Sequence, residues 1–222
     1  MIDPLSVTLG SERGSEAPDV HRDRPAPDGN VAAVLAAGRR DLVLGVREAG
    51  PPARELPMTT SGDSLAAAFK EVFSQLASGV CVVTFWRGGR LHGFTATSVT
   101  SVSLRPLRVL FCVAQASESH SCLAAGSALG ISILNHEQRA LSDRFARKVA
   151  QGAYDDVRIA GSSRHAPLLE GALGHITASV VEMIPSGDHT IVLCDVTSAH
   201  AESDGTPLLY CRRNYHSLHH SI

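Results

Sequence analysis

From Ser61 onward the apolar positions of this chain follow two different periods. Leu65, Ala68, Phe69, Val72, Phe73 and Leu76 recur at helical spacing, with Ser61 or Asp63 able to cap, and predict a helix that Ser78-Gly79 stops. Short β-type runs then follow closely. Residues 80–86 predict a strand, Gly88-Gly89 a hairpin turn, residues 91–100 the return strand and residues 108–114 a third. After a polar loop and a short helix near Cys122, residues 129–134 predict another strand. Residues 136–146 read as a helix with Leu141 and Phe145 on one face. A loop at 149–167 precedes two long strands, 173–184 and 190–199, joined by Pro185-Ser186-Gly187-Asp188, and residues 207–211 predict a last short strand.

This order lacks the strand–helix alternation of a parallel sheet. Strands joined by tight turns predict a mainly β fold, an antiparallel barrel with a few short helices. No GxGxxG follows a strand, so a Rossmann-type dinucleotide site is not expected. The first 57 residues differ from the rest. Residues 11–30 are rich in Pro, Gly and charged residues with little to bury, which predicts disorder. Residues 31–47 have the pattern of an isolated helix that Gly50-Pro51-Pro52 would end. The folded domain is therefore expected over 58–222, behind a disordered extension at 1–57. Met58 as a start and a genuine upstream tail both remain open.

At 222 residues and 44% apolar, the chain has material for one good-sized core, which the 5% aromatic content makes mainly aliphatic. Lys and Arg number 20 against 22 Asp and Glu, with no basic cluster, so nucleic acid is not an expected partner. No apolar run approaches the ~18 residues of a membrane span. Residues 1–10 lack the basic and apolar regions of a signal peptide. The five cysteines show no metal spacing, and Cys81, Cys112 and Cys194 sit in apolar runs that predict buried reduced thiols. No metal site is expected, His216, His219 and His220 reading as a polar chain end. A soluble, cytoplasmic protein is the expectation.

The chemistry-bearing segment runs from Gly93 to Ser103, with six hydroxyl side chains between Thr95 and Ser103. Hydroxyls can donate to phosphate and polyol oxygens, and small residues let a ligand approach the backbone. A half-exposed Thr/Ser strand explains the same composition. The loop from Gln115 to His120 repeats the device with Ser117 and Ser119, which equally suit helix caps. Phe145-Ala146-Arg147-Lys148 places an aromatic and two cations at a helix end, where the helix dipole favours cations in any case. Gly187-Asp188-His189 sets a histidine at a hairpin turn, either solvated or available to a ligand.

In order, Ala77-Ser78-Gly79-Val80, Gly93-Phe94-Thr95-Ala96-Thr97-Ser98, Ser103-Leu104 with Pro106, Ile133-Leu134-Asn135, Gln138, Phe145-Ala146, Gly187-Asp188-His189, Pro207-Leu208-Leu209-Tyr210 and Tyr215 resemble the flavin reductase-like family. Its members include reductase components of two-component flavin-dependent monooxygenases. The resemblance spans about residues 69–218 and implies a Greek-key split β-barrel that binds FMN or FAD. It implies hydride transfer from NADH or NADPH to the flavin, a homodimer, and a monooxygenase that receives reduced flavin. By the same resemblance Gly93, Thr95, Ala96, Thr97, Ser98 and Ser103 line the flavin. Cys112, Ser117 and Ser119 border it, and Phe145, Ala146 and Lys148 close its other end. His189 would contact the nicotinamide as the catalytic residue, with Tyr215 near that mouth. The family carries two prolines where this chain reads Arg105-Pro106-Leu107, and often a serine at the position of Thr97. A flavin carrier of the same fold without reductase activity is the alternative.

Overall fold

The computed structural model describes residues 58, 61–147, 152–160 and 166–218. The expectations for residues 1–57 and for His219 and His220 lie outside these.

The helix predicted after Ser61 is α1 (Gly62–Ser74), begun by the Leu65 N–H donating to the Ser61 carbonyl at 2.7 Å. Its apolar stripe is not buried. Leu65, Phe69, Val72 and Phe73 are 47%, 59%, 68% and 57% exposed. Ser78-Gly79 ends the helical pattern and forms a short strand, β1 (Ser78–Gly79).

Seven strands make the main sheet: β2 (Cys81–Arg87), β3 (Arg90–Ala96), β4 (Thr100–Leu104), β5 (Leu107–Ala114), β6 (Ala128–Ile133), β7 (Gly174–Ser186) and β8 (His189–Ala201). Their order is β3-β2-β6-β7-β8-β5-β4, and every neighbouring pair is antiparallel. The two edge strands, β3 and β4, are consecutive in the chain, separated only by Thr97, Ser98 and Val99. Four residue steps reach at most about 14 Å, whereas six strand spacings of a flat sheet cover about 29 Å. The sheet must therefore curl until its edges approach, which is the split barrel the resemblance implies. Phe94 of β3 and Phe111 of β5 meet inside it with ring centroids 5.8 Å apart.

Strand β2 reads as a continuous apolar run because both of its faces are covered. Cys81, Val83 and Phe85 join Phe111, Leu129, Ile131 and Val192 in the barrel interior. Val80 and Val82 pack outside it with Leu91, Leu134, Phe145 and Leu169. Thr84, buried among them, donates its hydroxyl to the Pro167 carbonyl.

Three local expectations need correction. Residues 91–100 are not one strand: β3 stops at Ala96 and the chain turns a corner before β4. The Thr/Ser-rich run keeps its β-propensity through the bend, so no composition change marks it. The turn between β7 and β8 is the two-residue loop Gly187-Asp188, because Ser186 already pairs with His189. Gly187 has φ 62°, as such a tight turn requires. Finally, β9 (Leu208–Cys211) is not the last strand. It pairs with β1 on one side and β10 (Asn214–Ser217) on the other, as a separate three-stranded sheet. The β9–β10 turn is Arg212-Arg213, at φ 50° and 61°. Neither residue is a turn signal, so the hairpin was invisible to composition.

Candidate functional site

The predicted helix at 136–146 opens as a 3₁₀ turn over His136–Gln138 and continues as α2 (Arg139–Phe145). A reciprocal cap starts it. Asn135 Oδ1 accepts the Glu137 N–H at 2.8 Å, and Gln138 Oε1 accepts the Asn135 N–H at 3.1 Å. The end of α2 sits over β3. A Cβ at Gly93 would stand 2.5 Å from the Val83 carbonyl oxygen and 3.0 Å from Cε1 of Phe145, so only glycine fits there. Phe145 stacks on Tyr154 with centroids 4.2 Å apart and planes 5° from parallel. Thr95 Oγ1 donates to the Ser142 carbonyl at 2.7 Å, and the Ser142 hydroxyl meets the Tyr215 hydroxyl at 2.9 Å.

Two clefts flank this helix end. The larger, about 800 Å³, lies between the β2–β3 hairpin, Gly93, Ala116–Ser119, Phe145 and Tyr154. Its volume is that of a small-molecule site. The second, about 520 Å³, is lined by Thr95, Thr97, Arg139, Arg147, Arg213 and Tyr215 among others. Ala146 and Arg147 border both. Residues 90–94 of β3 line the first cleft, and Thr95 and Thr97 further along line the second, so the two clefts follow one another along this strand and its extension.

This arrangement gathers many of the sequence-derived candidates. Gly93, Ser117, Ser119, Phe145 and Ala146 line the first cleft, and Thr95, Thr97, Ala146 and Tyr215 the second. Other candidates stand elsewhere. Ala96 is buried in the barrel interior. Ser98 is hydrogen-bonded through its hydroxyl to the Cys112 backbone, and Ser103 Oγ accepts the Arg105 N–H at 3.1 Å in the β4–β5 turn. Lys148 lies outside the described residues.

His189 lines neither cleft. It opens β8 opposite Ala114, and its carbonyl accepts a hydrogen bond from the Gln115 side chain at 3.0 Å. It is thereby tied to the segment that leads into the cleft-lining Ala116–Ser119. Its Nδ1 lies 2.8 Å from Asp188 Oδ1. That hydrogen bond, with the His189 and Lys70 charges, holds the exposed Asp188 carboxyl below the usual carboxylate range.

Tyr154 and Tyr215 both have hydroxyl pKa values raised, chiefly by burial, and stay neutral hydrogen-bonding groups near neutral pH. Arg144 reaches Asp156 and the Ala153 carbonyl, tying α2 to the 152–157 segment that carries Tyr154. Hydrogen bonding to Arg144 also holds the Asp156 carboxyl low. Sequence reading overlooked Tyr154, Arg139 and Arg213. Arg213 depends on a hairpin that carries no sequence signal, and Tyr154 on a loop returning over α2.

Residues 73–219 match the sequence profile described as the flavin reductase like domain. The NADH:FMN oxidoreductase of Rhodococcus qingshengii is 38% identical over 155 residues, covering 68% of this chain and 81% of that protein. The reductase component of 4-hydroxyphenylacetate 3-monooxygenase from Thermus thermophilus is 33% identical over 152 residues, 68% of this chain and 95% of its own. Among solved structures, the NADH:FAD oxidoreductase SgcE6 of Streptomyces globisporus C-1027 superposes with TM-score 0.66 at 29% identity, covering 73% of this chain and 99% of that one.

Proposed function

Because the chain belongs to the flavin reductase-like domain family, we propose that it transfers hydride from NADH to FMN or FAD and supplies reduced flavin to a partner monooxygenase. One observation carries this reading. The clefts along β3 bring Gly93, Thr97, Ser117, Phe145 and Arg147 around a flavin-sized space, in a chain whose relatives are named NADH:flavin oxidoreductases. The absence of a side chain at Gly93 lets Phe145 close against β3, and Phe145 forms a wall of the first cleft. Thr97 and the loop serines offer hydroxyls to a polyol, and Arg147 offers charge to a phosphate.

The flavin, when bound, supplies the hydride-accepting chemistry, and the protein supplies binding and orientation. Hydride transfer requires no protein acid or base. Phe145 and Tyr154 wall off water on the α2 side. His189, on the segment next to the Ala116–Ser119 loop, orients the nicotinamide. A monooxygenase as recipient is supported by the Thermus relative, named as the reductase component of such an enzyme.

We extend the reading to a homodimer. Val102, Leu104, Leu107, Val181 and Ile184 are left exposed on β4, β5 and β7, a surface that a second copy would cover. Anaerobic NADH oxidation measured with FMN and with FAD tests the activity. Turnover with either flavin is expected; binding of flavin with no NADH oxidation would leave a carrier instead. Sedimentation at several concentrations tests the dimer.

A further inference from the structure

One wall of the first cleft is fastened by residues that line neither cleft. On the outer face of the main sheet, Thr84 of β2, Ser132 of β6 and His175 of β7 lie on neighbouring strands, Thr84 opposite Gly130 and Ser132 opposite His175. All three are buried, and all three turn their polar atoms on one short segment. Thr84 donates to the Pro167 carbonyl, and Ser132 Oγ accepts the Leu169 N–H at 3.0 Å. His175 Nε2 lies 2.8 Å from the Leu169 carbonyl, where it must donate. A Cβ at Gly130 would stand 2.0 Å from the Pro167 oxygen, so the sheet lacks a side chain where the segment crosses it.

Leu169 passes this hold on to the cleft. Ile159 bridges Leu169, the Ala160 N–H donates to the Leu168 carbonyl at 2.7 Å, and the Glu170 N–H donates to the Arg158 carbonyl at 3.1 Å. The Val157 N–H in turn donates to the Tyr154 carbonyl at 3.0 Å. Leu169 and Tyr154 also share one buried cluster with Phe145. Tyr154 lines the first cleft, and its hydroxyl has no hydrogen-bond partner among the described residues. Where that ring sits therefore decides where an unspent donor points. A buried imidazole is costly to keep where an apolar side chain would pack, and this one is spent on the carbonyl of the residue that bridges to the cleft wall.

We propose that His175 is a positioning residue for the first cleft: by fixing Leu169 it holds Tyr154 in place, and so sets how tightly the cleft binds its flat ligand. The identity of that ligand rests on the flavin reading; the linkage from His175 to Tyr154 does not.

The test compares the full chain with His175→Leu, His175→Gln, Tyr154→Ala and the Tyr154→Ala/His175→Leu double variant. Glutamine can place an N–H donor where Nε2 stands, and leucine cannot. FMN binding is measured by titration, and backbone deuterium uptake over residues 152–159 is measured without ligand. His175→Leu is expected to weaken FMN binding by about 3–30-fold, on the scale of a buried carbonyl left without its donor. Uptake at 152–159 rises with it while uptake in β5 and β8 stays unchanged, and glutamine restores both. Once Tyr154 is alanine, the same leucine substitution changes FMN affinity by less than about 2-fold, because the two residues act through one path. Native FMN affinity in His175→Leu, a glutamine variant no better than leucine, or a loss that persists undiminished without Tyr154 overturns the proposal. Should His175→Leu not fold, Ser132→Ala removes the other hydrogen bond to Leu169 and carries the same cycle. Failure of the wild type to bind FMN overturns the flavin reading instead, and uptake at 152–159 then decides the linkage on its own.

Discussion

The Ser98 hydroxyl accepts the Cys112 N–H at 2.9 Å and donates to the Cys112 carbonyl at 3.5 Å. The β4–β5 pairing runs out at Leu110, so Cys112 has no residue of β4 opposite it. Ser98, on the corner between β3 and β4, takes the place of the missing strand. One hydroxyl thus fastens the short link that joins the two edges of the sheet.

Ser98→Ala is accordingly expected to destabilise the fold by about 1–3 kcal/mol, the cost of leaving backbone groups without partners. Urea unfolding reads this as a lower midpoint at unchanged slope. Ser98→Thr, which keeps the hydroxyl, should restore most of it. An alanine variant as stable as wild type would show that water replaces the serine.

Gly93→Ala should lower stability by about 1–3 kcal/mol by overpacking, because the new methyl meets a backbone oxygen as well as the Phe145 ring. Flavin affinity should fall with it, since the methyl displaces Phe145, which lines the first cleft. Thermal unfolding and a flavin titration on one preparation separate the two effects. A variant with native flavin affinity would place the ring away from Gly93.

For His189→Ala, flavin affinity should stay unchanged while kcat/KM for NADH falls by about 10–100-fold, or 1.4–2.8 kcal/mol of transition-state stabilisation. The side chain is exposed and its strand is held by backbone pairing, so folding is not at stake. Steady-state kinetics at saturating flavin gives the answer. A native kcat/KM would reduce His189 to a turn residue hydrogen-bonded to Asp188.

Burial pushes the Cys81 thiol from its ordinary 9.0 up to about 11 and the Cys194 thiol up to about 12. In the unfolded chain both ionise near the ordinary value, so the stability their neutral forms contribute is complete below pH 9. It is lost as pH rises through the folded-state values. The melting temperature should therefore decline between about pH 9 and pH 12, and less steeply in a Cys81→Ala/Cys194→Ala variant. Iodoacetamide at pH 8 should spare both residues in the native protein and label them after unfolding. Native labelling of either would contradict their burial.

Much of the barrel was legible because its strands are separated by strong punctuation, such as Gly88-Gly89 and Gly187-Asp188. The corner at Thr97–Val99 was not, since the same residue types continue on both sides. Nor was β10, which depends on two arginines in a conformation they rarely adopt. In the site, Gly93, Phe145 and Thr97 were legible as small, aromatic and hydroxyl residues in a familiar order. Thr95 and Ser98 belong to the same run, yet the structure spends their hydroxyls on Ser142 and Cys112. A sequence shows that a hydroxyl is present, but which acceptor claims it depends on tertiary packing. The arginines of the second cleft come from α2, the second residue beyond it and the β9–β10 turn, and only folding brings them to one cleft.

Helix α1 buries no side chain, and its described hydrogen bonds to the rest of the chain reach only its last turn and the residue after it. The Arg212 N–H meets the Ser74 carbonyl, Arg212 Nε meets Gln75, and Arg213 meets Glu71. Unwinding its first turns therefore uncovers no core, and their amides should exchange with solvent by local opening rather than by global unfolding. In a dilute protomer that exchange would be fast while the barrel strands stay protected. Should a second copy cover Phe69 and Val72, protection of α1 becomes a function of protein concentration, by mass action. The helix then reports association, and its deuterium uptake across a dilution series traces the dimer as directly as a mass measurement.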